Sequence, residues 1–253
     1  MEINIGWLYP DLMSTYGDRG NIIALSYRLK KRGIKSKIIK ISLNEPADLI
    51  KQTDLIFMGG AQDNQQEIVN QDLLKNKGRY LLTAIERSVP GLYVCGAYQF
   101  LGKYYQAADG TKIFGLGIFD LYTINPGINA PRMIGNIVTE TKITGEKVAL
   151  VGFENHGGRT YLNHPSFALA HVIFGYGNNG DDKTEGFVFK NSIGTYLHGP
   201  ILPKNPQLTD FLITKALERK YQKPISLLKI DDDLEDQARK VVLTKRTKRF
   251  FYF

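Results

Sequence analysis

Gly91-Leu-Tyr-Val-Cys95-Gly-Ala-Tyr-Gln-Phe-Leu-Gly102 carries the one cysteine of the chain, at the point where an apolar run meets a turn of small residues. Leu92, Tyr93 and Val94 read as the end of a buried strand. Gly96 and Ala97 supply a turn, and Tyr98 to Lys103 can begin a helix. A side chain on such a strand-to-helix turn projects away from the backbone into a cleft. The helix N-terminus behind it favours negative charge, and the thiolate is the reactive form of cysteine. The N–H of Gly96, with no side chain to shield it, can face a developing oxyanion. Free cysteine is also among the most buried residue types, so the turn alone leaves a nucleophile and a structural cysteine both open.

The sequence on either side of this turn sets the fold class. Ile3 to Tyr9 reads as a buried strand, followed by a loop and a helix from Asn21 to Arg32 that Gly33 closes. Lys35 to Ile41 is a second strand, and Asp54-Leu-Ile-Phe-Met-Gly-Gly60 a third that ends in a glycine turn. A helical stretch runs through Leu81 to Ser88 before the Cys95 strand. Strands alternating with helices at this spacing imply parallel βαβ units in a doubly wound sheet. Ligands of such sheets bind at the carboxyl ends of the strands, where Gly59-Gly60 and Cys95-Gly96 both fall.

Beyond Gly115 the pattern changes to short β-rich segments with many Gly and Asn residues. Strands are expected over Arg132 to Thr141, Lys147 to Glu154, Ala168 to Tyr176, Gly186 to Lys190 and Ser192 to His198. Amphipathic helices are expected over Asn205 to Lys220 and from Asp231 to about Lys245. No repeat or flexible linker interrupts the chain. One domain over 1–253 is expected, with a helical, basic and aromatic tail from about residue 226.

The 253 residues are 43% hydrophobic and 23% charged, as in ordinary globular chains. A single cysteine excludes an intramolecular disulfide and any cysteine-rich metal site, which suits a reducing cytoplasm. No stretch approaches the ~20 apolar residues of a membrane span, and the first residues lack a signal-peptide pattern. The net charge of +8 gathers around Lys30-Lys31-Arg32, with Lys35, Lys37 and Lys40, and in a tail ending Phe250-Phe-Tyr-Phe253. The first cluster reads as a solvated helix end, where basic residues suit the dipole. The tail reads either as a docking segment or as packing on the chain's own surface. No nucleic-acid motif accompanies either cluster.

A cysteine nucleophile needs a base, and there are four histidines. His198 ends a strand, as Cys95 does, and is followed at once by Gly199-Pro200. His156, in Gly152-Phe-Glu-Asn-His-Gly-Gly-Arg159, competes with it. His171 lies within a strand and His164 in a loop. Cys95, a histidine and donors at Gly60 and Gly96 would make an acyl-transfer site with a thioester intermediate. No histidine pair shows metal-ligand spacing.

Val94-Cys-Gly-Ala-Tyr-Gln-Phe-Leu-Gly102 resembles the nucleophile motif of class I glutamine amidotransferases, in their CobB/CobQ-like (cobyrinate/cobyrate synthase-like) branch. Gly152-Phe-Glu-Asn-His-Gly-Gly-Arg-Thr160 resembles the second motif of that branch, and Gly194-Thr-Tyr-Leu-His-Gly199 its catalytic-histidine motif. Tyr16-Gly-Asp-Arg-Gly-Asn21 and the chain length are similar to one family within it, the GatD-type glutaminase subunits of lipid II isoglutaminyl synthase. The resemblance implies a three-layer, flavodoxin-like fold with a central, mostly parallel sheet. It implies glutamine hydrolysis at Cys95 with His198 as base, oxyanion donors at Gly60 and Gly96, and L-glutamine held by Arg132. Arg159 is a physical competitor for that last role, since either guanidinium suits a carboxylate. Gln99, one helical turn after Cys95, either lines the pocket or faces outward.

The same resemblance implies a heterodimer with a Mur-ligase-like (MurT-type) synthetase subunit. The ammonia would there amidate the D-glutamate α-carboxyl of the lipid II stem peptide. ATP and magnesium would bind the partner, with no cofactor in this chain, which lacks a Gly-rich Walker sequence. Amidation of a corrinoid and a noncatalytic binding subunit are the competing readings. One departure stands out. Many class I amidotransferases place an acid two residues after the histidine, where this chain has Ile201. Another residue of the chain, with Glu154 the nearest motif carboxylate, or the partner is expected to supply the missing carboxylate.

Overall fold

The computed structural model of the chain describes residues 1–14, 17–61 and 63–244. Tyr16 of the first-loop motif and the basic, aromatic end at 245–253 lie outside the described residues.

The first part of the chain runs β1 (Glu2–Leu8), α1 (Arg19–Lys31), β2 (Lys35–Ile41), β3 (Leu55–Met58), α2 (Asp63–Asp72), α3 (Gly78–Glu86), β4 (Gly91–Val94) and α4 (Gly96–Leu101). Short strands follow: β5 (Tyr104–Gln106), β6 (Lys112–Phe114), β7 (Leu121–Ile124), β8 (Met133–Thr141), β9 (Val148–His156), β10 (Arg159–Leu162), β11 (Ala170–Phe174), β12 (Thr184–Glu185), β13 (Phe187–Phe189) and β14 (Ser192–Thr195). Helices α5 (Ile201–Lys204), α6 (Pro206–Tyr221) and α7 (Asp233–Thr244) complete it.

The central sheet has the order β13-β14-β4-β3-β1-β2. All its neighbours are parallel except the edge pair β13–β14. Every residue of β3, β4 and β14 is buried, as expected of parallel strands covered on both faces. From β1 the chain steps outward to β2, and from β3 it steps the other way to β4. Right-handed crossovers therefore put α1 and the α2–α3 segment on opposite faces. The order reverses between β1 and β3, and the strand ends on that side form the crevice in which such sheets bind ligands.

Two smaller sheets complete the fold. One is the antiparallel set β12-β11-β8-β9 and the other is β10-β7-β5-β6. The β8–β9 hairpin is paired from Met133↔His156 to Thr141↔Val148. Within β9, Phe153 exchanges backbone hydrogen bonds of 3.2 and 2.7 Å with His198, so this hairpin is stitched to the segment after β14.

The expected helix after Cys95 is only six residues long, because Gly102 turns the chain into β5. The expected strand at Ser192–His198 ends at Thr195. The basic cluster divides: Lys30, Lys31, Lys35, Lys37 and Lys40 are exposed, whereas the Arg32 side chain is 2% exposed and pairs with Asp210 at 2.7 Å. Arg28 pairs with Asp210 and Asp232, so α1 is clamped to α6 and to the segment before α7. The guanidinium groups are buried, so removing Asp210 would strand their charge away from water.

Candidate active site

Three neighbouring strands, β14, β4 and β3, each deliver one element of the site just past their carboxyl ends, and the loop that leads from β1 to α1 delivers a fourth. Cys95 follows β4 with φ 55° and ψ −108°, a left-handed conformation that costs a side-chain-bearing residue energy. The surroundings enforce it. The Cys95 N–H donates to the carbonyl of Thr195 at 2.9 Å, and its own carbonyl accepts the Gln99 N–H at 3.0 Å. The side chain is thereby lifted out of the strand, which is the projection read from the sequence.

His198, beyond β14, is fully buried and hydrogen-bonded to Cys95. Burial by itself would depress the imidazole, but the charge of Cys95 and the carboxylate of Asp18 outweigh it and raise it to about 10. With α4 spanning one and a half turns, the main counter-charge for a thiolate is this imidazolium and not a helix dipole. Gly60, after β3, packs against both. A Cβ there would lie 3.2 Å from Cys95 Cβ and 3.2 Å from His198 Cε1. Across the elbow, a Cβ at Gly96 would meet Gln66 Nε2 at 3.2 Å and the Ala61 nitrogen at 3.6 Å.

The carboxylate nearest His198 is Asp18, in the loop after β1. Its Oδ1 lies 3.5 Å from His198 Nδ1, with both side chains wholly buried. Glu154, the carboxylate expected there from the sequence, is used elsewhere. Its two oxygens accept the N–H groups of Tyr176 and Gly177 at 2.8 and 2.9 Å. Ile201, in the usual place of the acid, is buried at the start of α5.

His156 feels the charge of His198 but is held by contacts of its own. Its ring stacks flat on Tyr196, centroids 3.7 Å apart, and its Nδ1 lies 2.8 Å from the Gly158 carbonyl. Burial holds it below the usual histidine range, neutral near pH 7. The Tyr196 hydroxyl accepts a hydrogen bond from Gln99 Nε2 at 3.0 Å and lies 2.7 Å from Thr160 Oγ1, which in turn lies 2.7 Å from Thr123 Oγ1. Gln99 is thus buried in a hydrogen-bond network with Tyr196. Such networks fix one arrangement of a core when their members are paired.

Arg132 stands just before β8. Its Nε and Nη2 donate to Asn155 Oδ1 at 3.1 and 3.0 Å, and Nη2 also donates to the Asn155 carbonyl. Nη1 is turned toward Gly157, where a Cβ would lie 3.4 Å from it and 3.5 Å from Asn125 Nδ2. Its competitor Arg159 donates to the carbonyls of Gly157 and Pro131. A cavity of about 300 Å³ is lined by Gln66 and Phe100 near the elbow, and by Tyr105 and Asn125 toward Gly157. Cys95, His198 and Arg132 are not among its lining residues. Gln99 is not among its lining residues.

The CobB/CobQ-like glutamine amidotransferase domain model matches residues 4–206. The chain is 46% identical over 248 residues to the lipid II isoglutaminyl synthase (glutamine-hydrolyzing) subunit GatD of Staphylococcus aureus (strain N315), covering 98% of each chain. It is 39% identical to the subunit of the same name from Streptococcus pneumoniae (strain ATCC BAA-255 / R6), over 93% of this chain and 88% of that one. The chain is a GatD-type glutamine amidotransferase subunit. A solved glutamine amidotransferase superposes with a TM-score of 0.57 at 12% identity, covering 84% of this chain and 98% of that one. That likeness shows the class I amidotransferase fold, with its central, mostly parallel sheet.

This GatD-type subunit holds a second buried acid near the site. Glu185 of β12 accepts a hydrogen bond from the Thr195 hydroxyl and one from the Tyr196 N–H at 3.2 Å. Burial pushes its carboxyl up to about 8, with Glu154 adding to the shift and Thr195 opposing it. The folded chain therefore keeps this proton between pH 4.5 and about 8, where the unfolded chain has lost it. Stability is greatest at the acid end of that window and falls as pH rises through it. Glu185→Gln, a neutral isostere, is expected to abolish that decline. Melting temperatures from pH 5 to 9 check it: the variant's advantage grows toward alkaline pH.

Asp18, Gln66 and Tyr196 were not assigned roles from the sequence. Asp18 falls inside Tyr16-Gly-Asp-Arg-Gly-Asn21, immediately before α1, and that motif is the signal the sequence offers. Among the described residues, no helix is long and apolar enough to cross a membrane, and no group of three or more His, Cys, Asp or Glu side chains could hold a metal ion.

Proposed function

We propose that this chain hydrolyses glutamine at Cys95 and passes the ammonia to a Mur-ligase-like synthetase subunit. The observation that carries the proposal is the convergence of Cys95, His198 and Gly60 at the ends of three adjacent strands. The Cys95 thiolate attacks the side-chain amide carbon of glutamine. The oxygen becomes an oxyanion, for which the N–H groups at Gly60 and Gly96 are the donors. The C–N bond then breaks, and the proton on His198 leaves with the ammonia. Water gives a proton to His198, attacks the thioester and releases glutamate as the C–S bond breaks. Arg132 holds the α-carboxylate of glutamine through Nη1, with its other nitrogens fixed by Asn155. Gln99 acts from behind, by holding Tyr196.

The two GatD relatives are named as subunits of lipid II isoglutaminyl synthase and match this chain over most of its length. From that name and the resemblance above we infer that this chain works in the cytoplasm as a heterodimer, meeting a lipid-linked substrate at the inner membrane face. The partner binds ATP and magnesium and amidates the D-glutamate α-carboxyl of lipid II. Glutamine labelled with nitrogen-15 in its amide tests this, in the presence of the ligase subunit, ATP and lipid II. The label is expected in the new carboxamide. A ligase that amidates with free ammonium but takes no label from glutamine in this chain's presence overturns the proposal.

A further inference from the structure

We propose that Asp18 is the positioning residue of the site, orienting His198 through Nδ1 and, in the resting chain, also holding the Gly60 N–H that turnover needs for the oxyanion. This rests on the function proposed above and adds a residue and a control to it. The two contacts come from one carboxylate. Oδ1 lies 3.5 Å from His198 Nδ1, and Oδ2 accepts the Gly60 N–H at 2.7 Å. Among the described residues Oδ1 has no hydrogen-bond partner, so the imidazole is the group it faces, and a small rotation closes the gap to a charge-assisted hydrogen bond.

The surroundings are built for this carboxylate. A Cβ at Gly59 would sit 2.8 Å from Asp18 Oδ2 and 2.4 Å from the Met13 carbonyl, so the loop after β3 admits Asp18 only because it carries glycine there. Asp18 is wholly buried, and an ionised carboxylate in such a place needs partners. The Gly60 N–H is one and a charged His198 is the other. The alternatives are absent from the required place, Ile201 being apolar and Glu154 committed to backbone N–H groups.

The double role has a consequence for rate. An oxyanion and the Asp18 carboxylate compete for one donor, so the resting chain presents Gly96 but not Gly60 to the substrate. Turning the Gly60 N–H toward the substrate would leave Asp18 to His198 alone, completing both halves of the machinery in one movement. Turnover is therefore expected to be slow while this N–H stays on Asp18.

Two measurements test Asp18, one of which needs no glutamine. Alkylation of the single cysteine by iodoacetate, which is anionic, senses the imidazolium beside it, so its pH profile carries a limb where His198 loses its proton. The groups facing His198 are Cys95 at the elbow, Asp18 after β1 and His156 on β9, with Lys204 of α5 beside Gly199. In Asp18→Asn that limb is expected to move to lower pH by about one unit or more, the effect of removing a neighbouring opposite charge. In the complex with the ligase subunit, the same variant is expected to lose about 10²- to 10⁴-fold in kcat with KM nearly unchanged. A kcat loss with an unmoved alkylation profile would mean a merely structural aspartate and overturns the proposal. So does a wild-type limb at or below pH 7, a reading that requires no variant to fold. Wild-type chain that releases no ammonia, alone or with the ligase, sinks the glutaminase reading instead, while the alkylation profile still reports on Asp18 and His198.

Discussion

Cys95→Ala abolishes ammonia release from glutamine, by about 10⁵-fold or more, with the folded structure retained. The size follows from the chemistry. Without sulfur no thioester forms, and when members of a catalytic group act as a unit, losing the nucleophile costs about as much as losing all of them. The fold survives because the elbow is held by its backbone: the N–H on Thr195 and the carbonyl under Gln99 remain in alanine. The left-handed φ of 55° costs alanine about what it costs cysteine, so no strain is added. The variant also removes the group whose charge most raises His198, and the imidazole becomes less basic. The check is ammonia release and melting temperature on the same preparation. Residual turnover above about one part in 10³ would assign the chemistry to another group and exclude the thioester route.

The readable part of this fold lay in strands buried on both faces. Leu55–Met58 and Gly91–Val94 are unbroken apolar runs ending in glycine turns, and a parallel sheet leaves that mark because it has no solvent face. The elbow was readable for a related reason, since a nucleophile needs small neighbours to stand clear of its strand. The sheet made of β10, β7, β5 and β6 was not readable. Tyr104–Gln106 is three residues long and half-buried throughout, too short for any periodicity to show. The clamp of Arg28 and Arg32 on Asp210 was hidden by distance, since the partners lie about 180 positions apart. A basic helix end looks the same in sequence whether water or a distant aspartate receives it.

The same limit explains the missing acid. Ile201 announced that the usual carboxylate was absent, but not which distant residue replaced it. Glu154 was the nearest motif acid in sequence, yet β9 directs it to the Tyr176–Gly177 turn. Asp18 is 180 residues from His198, and only the adjacency of β1, β3, β4 and β14 brings them together. Strand order in a sheet depends on long-range pairing, which local sequence patterns do not encode.

The two glycines after β3 are expected to separate stability from activity. Gly60→Ala places a methyl group 3.2 Å from both Cys95 Cβ and His198 Cε1. Those contacts are tight but not prohibitive, and Gly60 is not among the residues with positive φ, so the chain folds with a melting temperature close to wild type. The methyl group nevertheless pushes the thiol and the imidazole apart by a few tenths of an ångström and crowds the N–H beside it. Misplacement on the ångström scale and loss of one oxyanion donor each cost about 10² in rate. A fall of about 10²-fold or more in kcat/KM for glutamine is therefore expected. Gly59→Ala acts differently. Its methyl group meets the Met13 carbonyl at 2.4 Å and Asp18 Oδ2 at 2.8 Å, and backbone cannot rotate away as a side chain can. Overpacking of this kind costs about 1–3 kcal/mol, which shows as a lowered melting temperature. Paired melting curves and glutaminase kinetics on the two variants decide the matter. If Gly60→Ala turned over glutamine at the wild-type rate, the space between Cys95 and His198 would not be where the oxyanion forms, and the assignment of Gly60 would fall with it.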